Sequence, residues 1–158
     1  MGVNPEKFRK DIRRFESLGL DSSVLIYHLE DVAPYSELTE LVFSVVASGS
    51  TASILSTISL TEILAKPFAE NRTDAIEIFE AFILALPNAK IVAPTYAIAK
   101  EAARLRGRYR IRTPDALLVS TAIQEGAKAF VTNDDRLKRL GAEGITVLVL
   151  DHYVSSRS

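Results

Sequence analysis

Four acidic residues, Asp21, Glu62, Asp115 and Asp134, carry the chemistry that this sequence can offer. Each is expected at a strand end or in the first turn of a helix. Asp21 closes the short strand candidate Gly19-Leu20, Glu62 lies just past a strand predicted over Thr51 to Ser59, and Asp134 follows the apolar run Ala129-Phe130-Val131-Thr132. Asp115 is placed by its neighbours: Thr113 suits an N-cap, Pro114 the first helical position, and Asp115 the first turn, where the helix dipole favours negative charge. One such acid would be explained by helix support alone. Four of them invite another reading, because the C-terminal strand ends of a parallel sheet converge on one crevice. Ionised carboxylates gathered there repel one another, and a divalent cation removes the conflict. With oxygen ligands only, the expected ion is hard, Mg²⁺ or Mn²⁺, and its chemistry is phosphodiester hydrolysis by activated water. Ser22, Thr132 and Asn133 stand beside these acids and are expected to orient them or the water. Asp135 is a fifth acid, ranked below Asp134 because it also suits the start of the next helix turn.

A basic approach leads to Asp115. Arg104, Arg106, Arg108, Arg110 and Arg112 occur at every second position. If Arg108 to Arg112 is extended, its three arginines share one face while Tyr109 and Ile111 pack on the other. Guanidinium groups there would hold the phosphates that the carboxylates repel, and an exposed Tyr109 would stack on a base. A solvated surface run, or a seat for an acidic protein partner, explains the same charges without RNA.

The elements needed to position these residues can be read from periodicity. Phe8, Ile12 and Phe15 recur at helical spacing among Lys7, Arg9, Lys10, Arg13 and Arg14, which predicts a basic amphipathic helix within Asn4 to Leu18. Helices are also expected from about Ser22 to Glu30, Pro34 to Ala47, Leu60 to a stop at Pro67, Thr73 to Leu86, Thr95 to about Arg106, and Arg136 to Leu140. Lys90 to Ala93 and Ile145 to Leu150 read as further strands. Strand and helix alternate throughout, which implies an α/β sandwich with a mainly parallel sheet. The 158 residues are expected to form residues 1–18 as a helical extension and 19–158 as one domain. Cysteine is absent, which excludes disulfides and thiolate zinc sites and fits a reducing compartment. The two histidines, His28 and His152, are too far apart for a paired-histidine zinc helix, and His28 is expected at the core edge. No run has the length of a membrane span, and the chain reads as soluble and cytoplasmic.

Leu20-Asp21-Ser22-Ser23-Val24-Leu25-Ile26-Tyr27, Ser59-Leu60-Thr61-Glu62, Arg112-Thr113-Pro114-Asp115-Ala116-Leu117 and Phe130-Val131-Thr132-Asn133-Asp134, in this order and spacing, resemble a PIN domain, the metal-dependent nuclease fold of VapC-type toxins and RNA-processing enzymes. The resemblance covers Leu18 to about Leu150, and all four of the family's acid positions are filled. It implies a five-stranded parallel sheet between two helical layers, Mg²⁺ or Mn²⁺ on the four acids, RNA as substrate, commonly a homodimer and, for toxins, an antitoxin that covers the cleft. The helix before the first strand departs from compact toxins of the family and fits a partner-docking or dimer element. Two other folds fit less well. A haloacid-dehalogenase-type phosphotransferase needs a second aspartate where Ser23 stands, and a dinucleotide-binding domain needs a glycine-rich turn that is lacking. A PIN-like scaffold that only binds RNA or protein would be favoured by loss of an acid, and none is lost.

Overall fold

The structure is a computed structural model that describes residues 2–155. Its centre is a five-stranded sheet of β2 (Ser17–Leu20), β3 (Ala52–Ser56), β4 (Ala89–Val92), β5 (Ala129–Thr132) and β6 (Thr146–Val149), in the order β4-β3-β2-β5-β6 with every pair parallel. Side chains alternate across each strand, so the pleat alone divides the core in two. Leu18, Leu20, Ala129, Val131 and Leu148 face one helical layer, α1 (Pro5–Ile12), α2 (Ser22–Leu29), α3 (Tyr35–Ala47), α4 (Thr57–Ala69) and α5 (Thr73–Leu84). Phe130, Val147 and Val149 face the other, built from α6 (Tyr96–Tyr109), α7 (Thr113–Gln124) and a 3-10 stretch Asp135–Glu143. The result is a three-layer α/β/α sandwich, as the alternation of strands and helices predicts. Among the described residues no helix is long and apolar enough to cross a membrane.

Gly19 lets the second layer approach. A Cβ at this position would lie 2.4 Å from Ala122 Cβ and 2.9 Å from Phe130 Cδ2, well inside van der Waals contact. Its lack of a side chain thus seats α7 directly on β2, two residues before Asp21.

Several boundaries differ from the periodicity reading. The first helix ends at Ile12, and Leu18 already belongs to β2. Phe8 and Ile12 are fully buried, Phe8 packs edge-on to Tyr153 with centroids 4.8 Å apart, and the Tyr153 hydroxyl donates to Asp11 at 2.6 Å. A two-residue antiparallel pair, β1 (Gly2–Val3) with β7 (Val154–Ser155), ties the two ends of the chain together. Strand β3 stops at Ser56 rather than Ser59, because the Ser56 hydroxyl accepts from the Ile58 N–H and caps α4. Pro67 does not end α4. It lies inside the helix, where its ring is buried and the one lost N–H bond is offset by packing.

Candidate active site

Parallel strands deliver their C-terminal ends to one edge of the sheet, and the chain reverses its direction of winding between β2 and β5. Asp21 follows β2 at that reversal. Its backbone N–H donates to Val131 O at 2.9 Å, and it is the N-cap of α2, with Oδ1 accepting from the Ser22 N–H at 2.8 Å. Oδ2 accepts from Thr132 Oγ1 at 2.6 Å and from Ser23 Oγ at 3.0 Å. The carboxylate is therefore held by three donors, although only 8% of the residue is exposed. Burial pushes its pKa up to about 6 against those hydrogen bonds, and the charges of Asp115 and Glu62 push the same way. Burying an acid with two like charges beside it disfavours its ionised form, and positive charge at this point would offset that cost.

The other acids arrive from three further segments. Glu62 sits in the second turn of α4, where Ser22 Oγ donates to its Oε1 at 2.7 Å and lies 2.9 Å from Ser59 Oγ. Asp115 is buried in the first turn of α7, and its Oδ2 accepts from Arg112 Nε at 3.2 Å. Asp134 follows β5, with its N–H donating to Thr132 Oγ1 at 3.0 Å. Both its oxygens are taken by Arg136, Nε to Oδ1 at 3.0 Å and Nη2 to Oδ2 at 2.9 Å, which hold this carboxyl below the usual carboxylate range. Thr132 thus connects Asp21 to the Asp134 backbone. All four acids line one open cleft of about 430 Å³ with Ser23, Ile26, Tyr27, Arg112, Asn133 and Arg136.

The donor set, carboxylate and hydroxyl oxygens without sulfur or imidazole, fits a hard divalent ion. The carboxylates are not drawn together as they stand: among the described residues no three acidic or imidazole side chains form a ready ion cage. The reason is visible in the pairs just given. Arg112 takes one oxygen of Asp115 and Arg136 both oxygens of Asp134, so an ion at these acids competes with guanidinium groups, most directly at Asp134.

The remaining predicted residues separate into those at the cleft and those away from it. Asn133 lies at its rim, bridging Tyr27 Oη at 3.3 Å and the Asp151 N–H at 2.8 Å. Asp135 turns outward to His152, 2.8 Å away. Arg108 is not extended. It lies in the last turn of α6 and faces Glu143 at 3.9 Å. The chain reverses at Arg110, which adopts a left-handed conformation with φ 55° and caps α6, so the three arginines do not share a face. Tyr109 and Ile111 are buried as the alternation suggests. The Tyr109 hydroxyl donates to Glu143 at 2.7 Å, and its buried ring cannot stack on a base. The helix cap is Arg112, not Thr113, and it makes no side-chain cap bond. Periodicity gave no notice of Arg136 and Arg139; the one available signal was Arg136 two positions after Asp134, inside a stretch already marked by its acids.

The PIN domain profile matches residues 19–143. The chain belongs to the PIN domain family. Its matched segment begins inside β2 and ends with the 3-10 stretch, so it carries all four acids and leaves α1 outside. Solved structures agree on the fold. The PIN domain superposes on a chain of VapBC2 from Rickettsia felis bound to a promoter DNA fragment with TM-score 0.66, at 20% identity over 84% of this chain and 98% of that one. A chain of a toxin–antitoxin complex from Klebsiella pneumoniae gives 0.58 at 19% identity over 85% and 97%. A chain of DNA-bound VapBC from Salmonella typhimurium gives 0.61 at 16% identity over 85% and 98%. No curated protein matches this chain in sequence.

Proposed function

We propose that this PIN domain is a Mg²⁺- or Mn²⁺-dependent endoribonuclease of the VapC toxin type, with Asp21, Glu62, Asp115 and Asp134 as its metal-binding and catalytic acids. The observation that carries the reading is the buried Asp21, pushed up to about 6 while two further carboxylates face it across the cleft. When bound, the divalent cation supplies positive charge for a scissile phosphate and makes water a competent nucleophile at neutral pH. The chain's own residues do the rest. Thr132, Ser23 and the Ser22 N–H fix the direction of the Asp21 oxygens, so that little reorganisation remains when charge develops. Ser22 orients Glu62 from behind. Arg112 and Arg136, at the mouth of the cleft, neutralise phosphate oxygens that the acids would repel.

A protein antitoxin is the partner that fits this reading. It is supported by the toxin–antitoxin complexes among the similar folds and by an apolar stripe, Leu60, Leu64 and the exposed Phe68, along one side of α4, the helix that carries Glu62 on another side. Residues four apart on one helix face suit an amphipathic partner helix. A homodimer in the cytoplasm completes the proposal. The decisive experiment is cleavage of single-stranded RNA in Mn²⁺, with and without chelator, by the wild-type protein and Asp115→Asn. Chelator should abolish cleavage, and the variant should lose roughly a hundredfold or more, since a displaced cation removes several kcal/mol of transition-state stabilisation. Equal rates for the two proteins would refute the assignment and favour a scaffold that only binds.

A further inference from the structure

Arg112, Asp115, Asp134 and Arg136 line two neighbouring hollows at once. On one side they border the acidic cleft with Asp21 and Glu62; on the other they border a smaller hollow with Arg110 and Arg139. The two ion pairs therefore form the partition between an acidic chamber and a basic one. Their members are unequally anchored. The acids are fixed: Asp115 and Asp134 have side chains only 9% and 21% exposed, and Asp134 is held through its backbone by Thr132. The arginines are not. Their side chains are 68% and 72% exposed, and among the described residues these carboxylates are the only side-chain hydrogen-bond partners of either, so once released they can swing to either side. Arg139 is a stationary wall, its Nη2 donating to Tyr109 O at 2.7 Å and its Nε to Arg136 O at 3.3 Å. The charges also match, because the two guanidinium groups together carry the charge of one divalent cation.

From this arrangement we propose that Arg112 and Arg136 are exchangeable counterions: they hold Asp115 and Asp134 until a divalent cation takes these acids, and then swing toward Arg110 and the fixed Arg139 to grip an RNA phosphate beside the scissile bond. The inference rests on the metal-dependent reading of the cleft and extends it to the basic hollow. It makes cation and RNA mutually supportive, since each guanidinium released from a carboxylate becomes available to a phosphate, and coupling between two ligands is reciprocal. Neither arginine reacts; both position.

The test measures binding, not turnover. Arg112→Gln, Arg136→Gln and the double variant are compared with the wild type, with Arg13→Gln, at the C-cap of α1 and outside both hollows, removing the same charge as a control. Thermal midpoints are followed over a Mn²⁺ titration. The apparent cation affinity should rise roughly two- to tenfold per variant, because the internal competitor is gone, and should not change for Arg13→Gln. Binding of a 2′-O-methyl RNA oligonucleotide is then measured against salt, with cation and with chelator. In cation the affinity should fall, and the log–log salt slope should flatten by about 0.7 for each arginine lost. In chelator, where the arginines stay on their carboxylates, wild type and variants should differ little. If the wild type responds to Mn²⁺ but the variants respond with equal or weaker affinity, the exchange is wrong while the metal site stands. Unchanged RNA affinity of the variants in cation would likewise refute it. A wild type without any Mn²⁺ response would refute both this inference and the metal-dependent reading beneath it.

Discussion

The same substitution, glycine to alanine, should have opposite effects at Gly19 and Gly107. At Gly19 the added methyl would meet Ala122 Cβ at 2.4 Å and Phe130 Cδ2 at 2.9 Å, whereas relaxed carbon contacts lie near ~3.5–4.0 Å. Phe130 can rotate slightly, but Ala122 belongs to the backbone-rigid α7, so helix and strand must separate by about 1 Å. Overpacking of this kind costs about 1–3 kcal/mol, and the gain from a less flexible unfolded chain returns only about 0.4–1 kcal/mol. A net loss of about 1–2 kcal/mol follows, or roughly 2–8 °C in melting temperature for a domain of this size. At Gly107, exposed within α6, a Cβ meets nothing within 4 Å, and alanine should stabilise by about 1 kcal/mol through helix propensity alone. Urea denaturation of both variants gives the signs. The origin of the Gly19 effect is isolated by Ala122→Gly, which removes the opposing methyl. Alone it should destabilise by about 1 kcal/mol or more, yet in the Gly19→Ala background it should restore stability, with a coupling energy of about 1–2 kcal/mol. Because α7 carries Asp115 in its first turn, Gly19→Ala should also weaken cation binding, and the double variant should recover it. Additive losses without coupling, or a Gly19→Ala protein as stable as the wild type, would refute the claim that Gly19 sets the distance between β2 and α7.

Asp21→Asn should stabilise the metal-free protein. The folded carboxyl titrates at about 6 against an ordinary 3.8, so its contribution to stability is intact below pH 3.8 and is lost as pH rises through about 6. Above that, the penalty is about 3 kcal/mol by order of magnitude. In chelator the variant should be the more stable protein near about pH 8, and the difference should nearly vanish near about pH 4; a pH-independent difference would contradict the buried-charge explanation. Phe8→Ala should cost about 3–5 kcal/mol, because Phe8 is fully buried against Tyr153, as denaturant midpoints would show. A loss below about 1 kcal/mol would mean that α1 is an appendage and not part of the core.

The sequence by itself determined the layers and the positions of the acids along the chain. Both are local properties: hydrophobic period separates strand from helix, and an acid after Val131-Thr132 or in the turn after Pro114 is at an element end wherever that element packs. The tertiary structure alone decided the rest. Strand order placed Asp21 beside Thr132 and not at a sheet margin. The left-handed turn at Arg110 broke the alternating arginines, because α6 could continue to Tyr109 once that ring had a pocket against the second layer. Pro67 stayed helical because burial outweighed one missing hydrogen bond, a balance that propensity cannot express. Arg112 and Arg136 meet carboxylates three and two positions away, pairs that a short window contains, whereas the field of four converging acids around them was set by packing alone. That field exists only after residues more than a hundred positions apart have come together, so no window of sequence contains it.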